Sequence, residues 1–67
     1  MLTRKLRFKN GSWVVLMQAN GYICEVHSNG MTQTRKDGRT MTEIAIEISD
    51  RLTPARGEIV KDDQAKV

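Results

Sequence analysis

"NGSWVVLMQANGYICEV", residues 10–26, sets an almost wholly apolar run between two Asn-Gly pairs ten residues apart. Asn-Gly is a strong hairpin signal, because both central residues of a type I′ turn need φ > 0 and these two tolerate it best. The same punctuation returns at Asn29-Gly30 and Asp37-Gly38. As a two-residue loop, the first turn pairs Phe8 with Trp13, Leu6 with Val15 and Arg4 with Met17. The second pairs Ala19 with Tyr22, Met17 with Cys24 and Val15 with Val26.

Side chains alternate across a strand, so these pairs assign faces. One face collects Leu2, Leu6, Phe8, Trp13, Val15, Met17, Tyr22, Cys24 and Val26, with Arg4 as the misfit. The expectation is a three-stranded antiparallel meander with residues 13–19 in its centre. Asn29-Gly30 then pairs Ser28 with Met31 and adds a short polar fourth strand.

The segment "TMTEIAIEISDRL", residues 40–52, reads two ways. As a helix it has a Thr40/Glu43 capping box, an apolar stripe of Met41, Ile44, Ala45, Ile48 and Leu52, and a Glu47–Arg51 pair four residues apart. As a strand it alternates Ile44, Ile46 and Ile48 with Glu43, Ala45 and Glu47. The cap and the stop before Pro54 favour the helix, which would also cover the sheet's apolar face. The fold class expected is therefore α+β: a three- to four-stranded antiparallel β-meander with one C-terminal helix on one face. The alternative is an all-β five-stranded meander or small barrel. Residues 1–52 make the domain, and residues 53–67 read as a polar tail with at most one docked strand or turn.

A chain of 67 residues allows one small domain. Its single cysteine, Cys24, excludes an internal disulfide, and no apolar stretch is long enough to span a bilayer. A soluble cytoplasmic protein is expected. The net charge of +3 is uneven. Residues 1–40 carry Arg4, Lys5, Arg7, Lys9, Arg35, Lys36 and Arg39 against Glu25 and Asp37, a balance of +5. Residues 41–67 stand at −2, with four basic residues against six acidic ones. An anionic partner suits the N-terminal part.

The chemistry-bearing residues are few. Cys24 is expected in the core and His27 on the outer face, so they form no pair, and zinc would need more ligands than the chain spaces together. Catalysis, metal and cofactor are not expected. The outer face instead presents Lys5, Arg7 and Lys9 from one strand, beside an apolar centre of Val14, Leu16 and Ile23. Arg35, Lys36 and Arg39 supply a second basic cluster. Two binding functions fit. In the first, the six basic residues grip the phosphates of DNA. In the second, the surface binds protein: the basic residues meet an acidic patch on a partner, and Val14, Leu16 and Ile23 supply an apolar contact. A homodimer through those three or through a free edge of the first or last strand belongs to the same class.

Over residues 2–52 the sheet-then-helix order, with its Trp13-Val14-Val15-Leu16 central strand, is similar to the arm-binding domains of tyrosine integrases and to the plant AP2 domain. That resemblance implies DNA binding and transfers no individual residue. In size and lack of catalytic inventory the chain also resembles small inhibitors from phages and mobile elements, anti-CRISPR proteins among them, which implies a host-protein target.

Overall fold

The computed structural model describes residues 1–36 and 38–66. Asp37, and with it half of the Asp37-Gly38 turn, lies outside the described residues. The chain forms β1 (Leu2–Phe8), β2 (Trp13–Ala19), β3 (Tyr22–His27), β4 (Thr32–Arg35), α1 (Met41–Arg56) and β5 (Ile59–Lys66). The sheet is antiparallel, in the order β4-β3-β2-β1-β5, and α1 crosses one face of it from the β4 edge to the β5 edge. The α+β class stands, but the strands number five rather than three or four.

The second hairpin turns as its sequence demands. Asn20 and Gly21 have φ of 54° and 79°, and Met17 pairs with Cys24 across them. The first hairpin does not. Its loop has three residues, Lys9-Asn10-Gly11: Gly11 N–H donates to the Phe8 carbonyl at 2.9 Å, and Phe8 N–H to the Ser12 carbonyl at 2.8 Å. This is a type I turn ended by a left-handed glycine, Gly11 at φ 91°. Ser28-Asn29-Gly30 repeats it, with Gly30 also at 91°. In both loops the asparagine Oδ1 accepts the N–H two residues on, from Ser12 and from Met31, each at 3.0 Å. Asn-Gly serves both turn types, so the dipeptide alone does not count the loop residues.

The extra residue shifts the pairing: Leu6 lies opposite Val14, and Arg4 opposite Leu16. The core face is therefore Leu6 and Phe8 from β1, Val14 and Leu16 from β2, and Ile23 from β3, closed by Ile44, Ala45 and Ile48 of α1. Val14, Leu16 and Ile23, expected as an outer contact patch, are buried beneath the helix. Trp13, Val15, Met17, Cys24 and Val26 stand on the opposite face, half-buried. The one-residue slip exchanged the two sides of β2 and β3 while leaving Leu6 and Phe8 where they were expected.

The helix begins as its sequence indicates. Glu43 N–H donates to Thr40 Oγ1 at 3.1 Å, and Thr40 N–H returns a bond to Glu43 Oε1 at 3.0 Å. It does not stop before Pro54. That ring leaves the Asp50 carbonyl without its helical donor, a defect tolerable so near the exposed end. The helix runs on to Arg56 and closes at Gly57, whose N–H donates to the Thr53 carbonyl at 2.9 Å.

Residues 59–66 are an edge strand on β1 instead of a tail. Arg4 explains part of the docking. Its Nε and Nη2 donate to the two carboxylate oxygens of Asp62 at 3.0 and 2.7 Å, so the apparent misfit of the core face is a bidentate clamp on β5.

The face assignment has a direct test in urea denaturation. Phe8→Ala should cost about 3–5 kcal/mol as a core deletion. Trp13→Ala, on the open face and in contact with a lysine, should cost about 1 kcal/mol. Equal losses would restore the two-residue turn.

Candidate functional site

The helix covers one face of the sheet, and the other is open. Alternation places Thr3, Lys5 and Arg7 of β1 on the open face, next to Trp13, Val15 and Met17 of β2 and Tyr22, Cys24 and Val26 of β3. Thr32 and Thr34 flank them on β4; Lys61, Asp63 and Ala65 flank them on β5. Two lysines lie over aromatic rings here: Lys5 Nζ is 5.0 Å from the Trp13 centroid, and Lys36 Nζ is 5.0 Å from the Tyr22 centroid. Tyr22 pairs with Ala19 at the far end of β2 from Trp13. The two rings are thus roughly 20 Å apart at ordinary strand rise, with Val15, Met17, Cys24 and Val26 between them. A shallow groove of about 110 Å³ lined by Lys5, Arg7, Lys61 and Asp63 adjoins the Trp13 end.

The six basic residues expected to act together are divided. Lys5, Arg7 and Lys36 belong to the open face. Lys9 sits in the first turn, where its backbone N–H donates to the Glu58 carbonyl at 2.9 Å. Arg35 and Arg39 turn to the helix side: Arg35 Nη1 is 3.3 Å from Glu47 Oε2, and Arg39 Nη2 bonds the same oxygen. Glu47 therefore pairs with these two arginines and not with Arg51, the expected helical partner.

Sequence reasoning missed what Glu25 and His27 do. Both are buried under α1, at 1% and 8% exposure. His27, expected on the exposed face, donates from Nε2 to Glu25 Oε2 at 2.5 Å. Arg35 Nη2 stands 3.4 Å from Glu25 Oε1, and Arg51 Nη2 stands 3.7 Å from Oε2. Cys24 is correspondingly on the open face, not in the core. It remains on the side opposite His27, with the two sides exchanged. The detectable signal was the polarity of Glu25 and His27 on one strand face, which suits solvent and a charged core equally well.

Among the described residues no group of three or more His, Cys, Asp and Glu side chains is placed to hold a metal ion, and no helix is long and apolar enough to cross a membrane. No protein-family model, curated protein or solved structure matches the chain.

The hydrogen bond from Arg39, helped by the charge of Arg35, holds the Glu47 carboxyl below its ordinary value of 4.5. A depressed carboxyl stabilises the fold above its unfolded pKa, and that stabilisation is lost as pH falls through the lower folded value. The thermal midpoint should therefore drop as the pH is taken below about 4.5. Glu47→Gln should start lower at neutral pH and fall less steeply over the same range. Parallel curves would show that Glu47 does not couple the β4–α1 connection to the helix.

Proposed function

We propose that the protein is a non-enzymatic nucleic-acid-binding protein whose open sheet face receives a single strand. The observation that supports this reading most is the placement of Trp13 and Tyr22 on the same uncovered face as Lys5, Arg7 and Lys36. Positive charge tracks a phosphate backbone, and each aromatic ring offers a stacking surface for a base, the combination that single-strand binders use. On binding, Lys5 and Lys36 shift from ring to phosphate as bases take their places. Arg35 and Arg39 take no part, since their charges serve Glu25 and Glu47. DNA remains the expected polymer; a duplex would use the cations but leave the rings idle.

A second reading has its own support. Val15, Met17, Cys24 and Val26 form an apolar stripe in the middle of this face, which suits a second copy of the chain or, with Lys5 and Arg7 beside it, a protein surface whose apolar patch is rimmed by carboxylates. An inhibitor acting on a host protein would work in this way.

Fluorescence anisotropy with labelled single-stranded DNA, single-stranded RNA and duplex DNA separates the readings. At ~50 mM salt, where the counterion term is large, a single strand should bind more tightly than the duplex. Lys5→Ala/Arg7→Ala should weaken binding and reduce the salt slope by about 1.4, two contacts at ~0.7 each. Trp13→Ala should weaken it roughly five- to a hundredfold through lost stacking. Absence of saturable binding to all three probes sinks the nucleic-acid reading and transfers the face to a protein partner.

A further inference from the structure

The open face has a ring at each end and, between the rings, a floor whose side chains carry no nitrogen or oxygen. Strand register fixes its layout. At one end Arg7 lies opposite Trp13. Next comes Val15, with Lys5 opposite on β1 and Val26 opposite on β3, and then Met17 paired with Cys24. Tyr22, with Lys36 over its ring, closes the other end. The four floor residues are half-buried by their neighbours in the sheet, and α1 lies on the opposite side. Hydroxyls begin at the β4 margin, where Thr34 pairs with Cys24 and Thr32 with Val26. A threonine hydroxyl both donates and accepts, so it takes any base edge without choosing among them.

The consequence rests on the single-strand reading above. A strand with one base on Trp13 and another on Tyr22, roughly 20 Å away, lays the bases between them along this floor. At about 3.4 Å per stacked nucleotide the interval holds about six steps, and fewer if the backbone is stretched. What the floor reads is limited by its chemistry. It gives no hydrogen bond that tells one base from another, and the Cys24 thiol is only a weak donor. It does give van der Waals contact and shelter from water. Thymine alone among the bases carries an apolar substituent, the C5 methyl group, and side chains read that methyl through apolar contact. Set with its methyl against the floor, thymine leaves its carbonyls in water. Uracil and cytosine in the same pose present only a C5 hydrogen.

We propose that the open face selects thymine, with Val15, Met17 and Val26 as the specificity-determining surface for thymine-rich single-stranded DNA. Lys5, Arg7 and Lys36 hold phosphates, Trp13 and Tyr22 stack on whichever bases reach them, and the floor chooses the bases in between. The same choice separates DNA from RNA, because uracil lacks the methyl.

Fluorescence anisotropy of the full chain tests it, with labelled oligothymidylate and oligodeoxyuridylate of about twelve nucleotides each at one salt concentration. The two polymers differ only in the methyl. Burying one methyl group favours binding roughly fourfold, so two floor positions should make the thymine polymer about tenfold tighter. Val15→Thr/Val26→Thr keeps β-branched side chains on the strands, both rings and every cation, and places hydroxyls on the floor. In this variant the preference should shrink below about threefold, with affinity for oligodeoxyuridylate little changed. Met17→Gln, similar in length, should reduce the preference in the same direction, and urea denaturation shows whether each variant is folded. Equal or weaker affinity of the wild type for the thymine polymer overturns the proposal and leaves the single-strand reading standing. A full preference that survives both floor variants overturns it too, and assigns the methyl to the aromatic rings. Absence of saturable binding to either polymer removes the single-strand reading and this inference with it.

Discussion

Gly11 closes the β1–β2 loop in a left-handed conformation, and the loop it ends also receives the far end of the helix. Lys9 N–H donates to the Glu58 carbonyl, and Asn10 N–H to the Arg56 carbonyl at 3.0 Å. Gly57 lies so close to this turn that a Cβ there would stand 2.7 Å from the Lys9 Cβ. One three-residue loop thus sets the register of the central strands and anchors the C-terminus of α1. Both constraints push the same way. The register turns Leu6, Phe8, Val14 and Leu16 to one side, and the anchor lays Ile44, Ala45 and Ile48 over that side.

The core so made is apolar, with a charged cluster at one margin. Near β1 the helix rests on aliphatic residues and Phe8. Towards β3 and β4 it rests on Glu25, His27 and Arg35, with Glu47 and Arg51 reaching down from the helix. Such an arrangement is a weak source of net stability, since desolvation opposes the ionic attraction, but breaking one partner leaves a buried charge uncompensated. The cluster therefore acts as a key for the β4 edge. At the other edge, the Arg4–Asp62 clamp performs the same service for β5. The hydrogen bonds that Arg4 donates to Asp62 hold the guanidinium above its ordinary value, so the clamp stays charged.

The division of the basic residues follows from this architecture. A cation count along the chain treats Arg35 and Arg39 as equals of Lys5 and Arg7. In three dimensions the first two are absorbed by carboxylates on the helix side, and the second two stand free of that network on the open face. The open face gains the aromatic rings in exchange, because the register that buries Val14 and Leu16 exposes Trp13 and brings Tyr22 to the same side. Cationic and aromatic groups are thereby joined on a surface where sequence alone placed cations beside aliphatic residues and no ring.

Local chemistry by itself determined the second hairpin, where Asn20 and Gly21 both take positive φ, and the start of the helix, where Thr40 and Glu43 cap one another and Ile44 and Ile48 repeat at helical spacing. These features depend on interactions spanning a few residues, and neighbours along the chain contain all the atoms involved. The sides of β2 were undecidable in the same terms, because Trp13 through Met17 is apolar at odd and even positions alike. A two- or a three-residue turn at Asn10-Gly11 gives either side an apolar surface. The polar β5 was equally silent, since its docking rests on pairing with β1 and in part on Arg4, 58 residues before Asp62. Only the tertiary structure decided these, because the choice lay with the helix and with arginines distant in the chain. Once Arg35 and Arg51 stand beside Glu25, burying that carboxylate becomes tolerable, and the face that carries it becomes the core.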